Sequence, residues 1–256
     1  MLLALGASAA LGACRDWGKY DPGVSSGGGG SSSSTGLGGG ASSTSSTSST
    51  STSSTSSSST TGGGVVVCSL PLVDTFDAPP LGSLWAPKNG NAGTLGVANH
   101  ELVLTLPTTM AYSNAEITAI VPHDLTGCRG FVRLTQAPGM NTKAVALLQL
   151  LYDSDNAVIL LETEGSLQAK KQLAGKETIE MAVPYDPMSH AYLGISELDG
   201  KVRWETSPDG TTWTTLVEEA SWLPSPQVYF KLGASTYQME PSAPGETHFD
   251  NVDVVP

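Results

Sequence analysis

Charge is what this sequence most lacks. Only 14% of its 256 residues are Asp, Glu, Lys or Arg, against about a quarter in an ordinary globular chain. Cations are the scarcer kind, with 12 Lys and Arg facing 24 acids for a formal net charge of −12. So few cations cannot neutralise a phosphate backbone, which argues against nucleic acid as a partner. No apolar run reaches the roughly eighteen residues of a membrane-spanning helix. Cysteine is confined to Cys14, Cys68 and Cys128. They form no Cys-x-x-Cys pair, and His100, His123, His190 and His248 show no i, i+4 spacing. Both absences speak against a zinc site.

The missing charge has a location. No charged residue occurs between Asp21 and Asp74, and 38 of the 41 residues of Val24–Gly64 are Ser, Thr or Gly. A segment with almost nothing apolar to bury cannot offset the entropy of ordering its backbone. It is expected to be a disordered linker with a root-mean-square span of roughly 35 Å. Its Ser/Thr run is also a candidate for O-glycans.

Ahead of the linker stands Met1-Leu-Leu-Ala-Leu-Gly-Ala-Ser-Ala-Ala-Leu-Gly-Ala-Cys14, followed at once by Arg15-Asp16. A short apolar stretch ending in small residues reads as a secretory signal and not as a buried helix. Leu11-Gly12-Ala13-Cys14 resembles the lipobox of bacterial lipoproteins. The resemblance implies cleavage before Cys14, acylation of its thiol, and a membrane anchor at about 0.8 kcal/mol per buried methylene. The leader departs from that pattern in having no Lys or Arg before its apolar run, which a start codon further upstream would explain. The expected organisation is a signal peptide at 1–13, an anchored linker at 14–64 and one domain at 65–256. Arg15, where many inner-membrane lipoproteins carry Asp, implies an outer-membrane or cell-surface destination. In that oxidising compartment Cys68 and Cys128 are expected to form a disulfide, the alternative being two buried free thiols.

From Val65 onward the pattern is that of strands. Glu101–Leu106 alternates, with Leu102, Leu104 and Leu106 on one face. Similar segments are Gly130–Gln136, Lys143–Tyr152, Ala157–Glu164, Ser166–Leu173, Thr178–Val183, Ala191–Glu197, Lys201–Thr206, Val228–Ala234 and His248–Val255. Turn signals at Asp153–Asn156, Glu164-Gly165, Asp199-Gly200 and Asp209-Gly210 separate them. Short strands at this spacing predict an all-β antiparallel sandwich or barrel. Lys143–Tyr152 and Ala157–Leu161 are apolar on both faces and should be central strands.

Asp74-Thr-Phe76-Asp77 with Trp85, the segment Trp204–Trp213, and the closing Phe249-Asp250-Asn251-Val252 resemble concanavalin A-like lectin/glucanase jelly rolls. Ser207–Trp213 also resembles an Asp-box hairpin, a structural device whose Asp209-Gly210 should supply the positive backbone angles of the turn. The jelly-roll resemblance implies a two-sheet antiparallel sandwich with its first and last segments adjacent. Fold alone does not choose among sugar-binding, adhesive and catalytic members.

Three kinds of site follow as candidates. Glycoside hydrolysis needs two converging carboxylates. The laminarinase-like Glu-x-Asp-x-x-Glu breaks after Glu197 and Asp199, where Val202 replaces the third acid, and Glu162 with Glu164 is the remaining pair. Catalysis is therefore not expected. Calcium needs six to eight oxygens. Neither Asp153–Asn156 nor Asp250–Asp253 supplies them alone, although a structural calcium at the seam of first and last strands could use Asp74, Asp77 and Asp250. Sugar binding needs aromatic platforms and planar polar side chains, and alternation places Arg133, Gln149, Glu162, Tyr192 and Tyr229 outward. The expected function is non-catalytic binding of a carbohydrate or surface polymer by a monomer. A protein-binding adhesion module and a glycan-degrading enzyme with a non-standard carboxylate pair are the alternatives.

Overall fold

The computed structural model describes residues 68, 72–108, 112–223, 227–236, 240 and 242–256. The expected leader, the expected anchor at Cys14 and the expected linker lie outside the described residues. Within them the strands are β1 (Trp85–Gly90), β2 (Thr94–Ala98), β3 (Glu101–Leu106), β4 (Ser113–Ala119), β5 (His123–Asp124), β6 (Cys128–Gln136), β7 (Ala144–Leu151) and β8 (Ala157–Thr163). They continue as β9 (Ser166–Leu173), β10 (Lys176–Pro184), β11 (Tyr192–Leu198), β12 (Lys201–Ser207), β13 (Thr214–Ala220), β14 (Gln227–Thr236) and β15 (Gly245–Val255). No helix occurs among the described residues.

One antiparallel sheet runs β1-β4-β14-β7-β8-β9-β10, with β5 paired to the start of β14. The facing layer consists of β2-β3-β15-β6 and β11-β12-β13. These two ladders meet where Leu134 N–H donates to Ala191 O at 2.9 Å and Gly127 N–H donates to Glu197 O at 2.8 Å. The predicted apolar face of β3 lies in the core, as do Ala146, Leu148 and Leu150 of β7, Leu193 and Ile195 of β11, and Phe230 and Leu232 of β14. Fully burying a side chain of Leu or Phe size contributes about 1.5–3 kcal/mol.

Trp204 of β12 is wholly buried among them. Its indole N–H donates to Ile159 O at 3.0 Å and to Lys170 O at 3.1 Å. The one polar atom of the ring is thereby satisfied, and β12 is joined to β8 and β9 across the interior.

Two predicted turns hold in detail. Glu164-Gly165 has φ of 51° and 73°, and Asp199-Gly200 has 56° and 71°, the paired positive angles of tight hairpin turns. Asp209-Gly210 departs from the expectation, since only Gly210 is positive, at 76°. First and last segments are adjacent, as the resemblance implies. Asp74 N–H donates to Val252 O at 3.0 Å, and Val252 N–H donates back to Asp74 O at 2.9 Å.

Cys68 and Cys128 are disulfide-bonded, with Cα atoms 5.9 Å apart across 60 residues of sequence. Cys128 is fully buried at the start of β6, so the bond ties the segment entering the domain to a core strand. In the loop-entropy description a closure of this length stabilises by about 4 kcal/mol. The double variant Cys68→Ser/Cys128→Ser is expected to melt roughly 8–16 °C lower by circular dichroism. Reductant should lower the wild-type melting temperature and leave that of the variant unchanged.

Candidate functional site

The five polar positions that alternation placed outward are spread over three environments. Gln149 and Tyr229 lie on the face of the eight-stranded sheet that turns away from the core. Arg133 and Tyr192 lie on the opposite outer face, that of the facing layer. Glu162 points inward, because it shares a register row with the core residues Ala146 and Leu167.

The outer face of the eight-stranded sheet is apolar at its centre. Val145, Leu147, Ala157, Ile159 and Leu161 form a second buried cluster there, and Leu151 packs against it. Polar residues occupy one flank. Glu116 is paired with Lys88 at 3.6 Å and with Lys231, and accepts from Asn114 Nδ2 at 2.9 Å. On this face Lys231 stands opposite Gln149 and two residues from Tyr229, so both candidates adjoin that polar flank.

On the facing layer the arrangement is different. Arg129 of β6 makes a bidentate pair with Glu205 of β12, at 2.8 and 3.2 Å. Its guanidinium stacks over Trp213 at 4.6 Å from the ring centroid. Trp213 lies on Gly194 of β11, where an added Cβ would come within 2.5 Å of the ring, so only glycine permits this approach. Phe131 packs tilted against Trp213 at 5.4 Å and edge-on to Tyr192 at 6.0 Å. Arg133 reaches the Tyr192 ring at 6.0 Å and Asp250 at 3.8 Å.

Beside Tyr192 opens a hollow of about 260 Å³, lined by Val73, Thr75, Phe131, Tyr192, Asp209, Gly210, Asn251, Val252 and Asp253. Its shape comes from an irregularity in β15. Asp250 pairs with Arg133 and Asp253 with Phe131, so Asn251 and Val252 together stand opposite Val132 alone. In this bulge Val252 turns into the core and Asn251 takes φ 49°, which brings Asn251 and Asp253 to the rim. Bulges of this kind bend a strand and re-aim its side chains.

Asp209 forms another part of the rim. It accepts from the N–H groups of Thr211 at 2.8 Å and Thr212 at 2.7 Å, and shares a hydrogen bond with Ser207 at 3.0 Å. Those donors hold its carboxyl far below the usual carboxylate range, so it stays ionised. Sequence reasoning named Tyr192 for sugar binding, weighed Asn251 and Asp253 only as calcium oxygens, and did not single out Phe131. The Asp250-Asn251-x-Asp253 cluster was the available signal.

The other candidate acids serve the fold. Asp74 accepts from Trp85 Nε1 and from Phe76 N, both at 2.8 Å. Asp77 is exposed and bonds Thr75 Oγ1 at 2.5 Å. Asp250 is bonded to its neighbour Asn251 and is pushed up by burial. Asp153 organises its own turn by accepting from the N–H groups of Asp155 and Asn156. Among the described residues no three His, Cys, Asp or Glu side chains gather as a metal site. Asp74, Asp77 and Asp250 of the expected seam form no such group.

Neither expected carboxylate pair converges. Glu164 is exposed in its turn while Glu162 is buried beneath it. Asp199 is likewise in a turn, with its side chain 89% exposed, beyond Glu197 on β11.

No family model matches the chain, and no curated protein resembles it in sequence. Solved structures do match its architecture. A prokaryotic β-1,3-1,4-glucanase (lichenase) from a mouse hindgut metagenome is 13% identical, with a TM-score of 0.53 over 73% of this chain and 99% of the other. β-Agarase A of Zobellia galactanivorans is 11% identical, with a TM-score of 0.54 over 72% and 89%. The CBM2 module of the evolved Dit protein of Lactobacillus casei phage J-1 is 8% identical, with a TM-score of 0.56 over 73% and 94%. The fold is a concanavalin A-like jelly roll.

Glu162 itself behaves unusually. It is 1% exposed; its Oε1 accepts from Gly165 N at 2.9 Å, while Oε2 has no hydrogen-bond partner. Burial raises its pKa from 4.5 to about 7, and its proximity helps push the half-buried Tyr185 up to about 12. The folded protein therefore holds a proton that the unfolded chain releases. The stability so contributed is complete below about pH 4.5 and is lost as pH rises through about 7, by on the order of 3 kcal/mol. Urea titrations should show the wild type weakening across that interval relative to Glu162→Gln, and equal pH slopes in the two proteins would refute the assignment.

Proposed function

We propose that the protein is an envelope-anchored, non-catalytic carbohydrate-binding lipoprotein. The observation that carries the binding role is the hollow beside Tyr192. It offers an aromatic wall from Tyr192 and Phe131 with Asn251, Asp253 and Thr75 on its rim. An apolar ring face flanked by a few planar polar groups is the chemistry that holds a sugar. Its volume is a little below the roughly 300–1,000 Å³ of pockets for drug-sized ligands and suits one ring of a longer glycan.

Proteins of the same architecture support this reading, since two of those described are named as a glucanase and an agarase and one as a CBM2 module. The separation of Glu162 from Glu164, and the exposed turn position of Asp199, favour binding over hydrolysis. The anchoring part rests on Leu11-Gly12-Ala13-Cys14, and Arg15 favours the outer membrane or cell surface.

Glycan arrays and polysaccharide pull-downs with the full chain, with and without calcium, test the binding role. Positive ligands should weaken about tenfold on Tyr192→Ala, with the melting temperature checked alongside. Blank arrays in both conditions would sink the carbohydrate reading. Labelled palmitate should enter the wild type but not Cys14→Ser, and the variant should leave the membrane fraction.

A further inference from the structure

The hollow has a charge as well as a shape, and the charge narrows the ligand. Its lining includes two carboxylates, Asp209 and Asp253, and no Lys or Arg. The nearest cations already have acidic partners. Arg129 is held by Glu205, and Arg133 sits between Tyr192 and Asp250. Asp253 accepts from Val254 N through Oδ1 at 2.7 Å, which leaves acceptor capacity on Oδ2. Asp209 Oδ2 accepts from Thr212 Oγ1 at 3.1 Å. The Tyr192 and Phe131 rings also line the hollow; an aromatic face attracts a cation, and the Arg133 guanidinium already lies 6.0 Å from the Tyr192 centroid. An alkylammonium group presents three donors and a positive charge. It can donate to a carboxylate oxygen of the rim while its carbon neighbours lie against an aromatic ring.

We propose that the hollow recognises the protonated primary amine of an amino sugar, so that the ligand is a glycan carrying free, non-acetylated amino groups. This rests on the carbohydrate reading above and narrows it. A uronic acid placed in the same hollow would bring a third carboxylate beside Asp209 and Asp253, with no cation lining the site to receive it. An N-acetylated sugar would stack equally well but would offer an amide N–H in place of the charge, and charge-assisted hydrogen bonds are about twice as strong as neutral ones. The net charge of −12 acts in the same direction by raising the local concentration of cationic ligands.

The test is calorimetric titration of the full chain with three oligosaccharides of equal length. These are fully deacetylated chito-oligomers, their N-acetylated counterparts and oligogalacturonate, at mildly acidic pH where the amine is charged. The deacetylated oligomer is expected to bind roughly tenfold or more tightly than the acetylated one, with galacturonate weakest. High salt should narrow that gap. Asp253→Asn should remove most of the preference for the amine, weakening the deacetylated oligomer far more than the acetylated one, with the melting temperature checked alongside. Equal binding of both chito-oligomers, or a preference that survives Asp253→Asn, overturns the amine assignment. If both bind equally and both are lost in Tyr192→Ala, the carbohydrate site stands without it. If no oligosaccharide binds and the arrays are blank, the carbohydrate reading falls and takes the amine assignment with it.

Discussion

The bulge in β15 is the constraint on which the rest of this site depends. Between Asp250 and Asp253 the strand carries two residues where its partner β6 carries one. A regular ladder continued from the core residue Phe249 would send Asn251 and Asp253 inward and Val252 outward. The extra residue changes that. Val252 goes to the core and pairs its backbone with Asp74, while Asn251 and Asp253 both reach the hollow. The same backbone irregularity thus docks the segment that enters the domain and builds the rim of the candidate site. Changes that regularise β15 would disturb both.

The walls of the hollow are set by a second arrangement, stacked at right angles to the strands. Glu205 holds Arg129, Arg129 lies over Trp213, Trp213 lies on Gly194, and Phe131 fills the angle between Trp213 and Tyr192. Glu205 is buried, and a buried ion pair contributes little net stability beyond a well-packed apolar equivalent. Its consequence here is orientation, because it fixes the plane of the guanidinium and hence of the indole beneath. Gly210 continues the series, since a Cβ there would come within 3.1 Å of Tyr192. The aromatic ring is therefore positioned from both sides before any ligand arrives, which reduces the ordering that binding would otherwise require.

Much of the architecture was legible in the sequence, because alternation and turn chemistry are local. The long strands β3, β7, β8, β9, β12 and β14 and the hairpins at Glu164-Gly165 and Asp199-Gly200 were all read from short-range pattern. The strands that were missed are those whose local signal is weak. β1 contains Pro87, which an edge strand tolerates, and β13 is largely exposed with no alternating apolar face. Ala174-Gly175 forms the same positive-φ turn as its neighbours, with nothing in Ala174 to announce it.

The site was less legible, and for a physical reason. Alternation says which residues share a face but not which face meets the core, and a shift by one residue exchanges the two. Glu162 shows the consequence. It sits beside a Gly turn among residues that look solvated, yet its row is continued by Ala146 and Leu167 and leads inward. Arg133 and Tyr192 are on one layer and Gln149 and Tyr229 on the other, so no single groove could have united them. What brings Tyr192, Asp209, Asn251 and Asp253 together is non-local: a bulge near the C-terminus, a loop after β12 and the first residue of β11. Each is ordinary taken alone, as a rim aromatic, a turn acid and a strand-end amide. Their chemistry appears only where the three segments meet, and there two acids stand with two aromatic rings around one hollow.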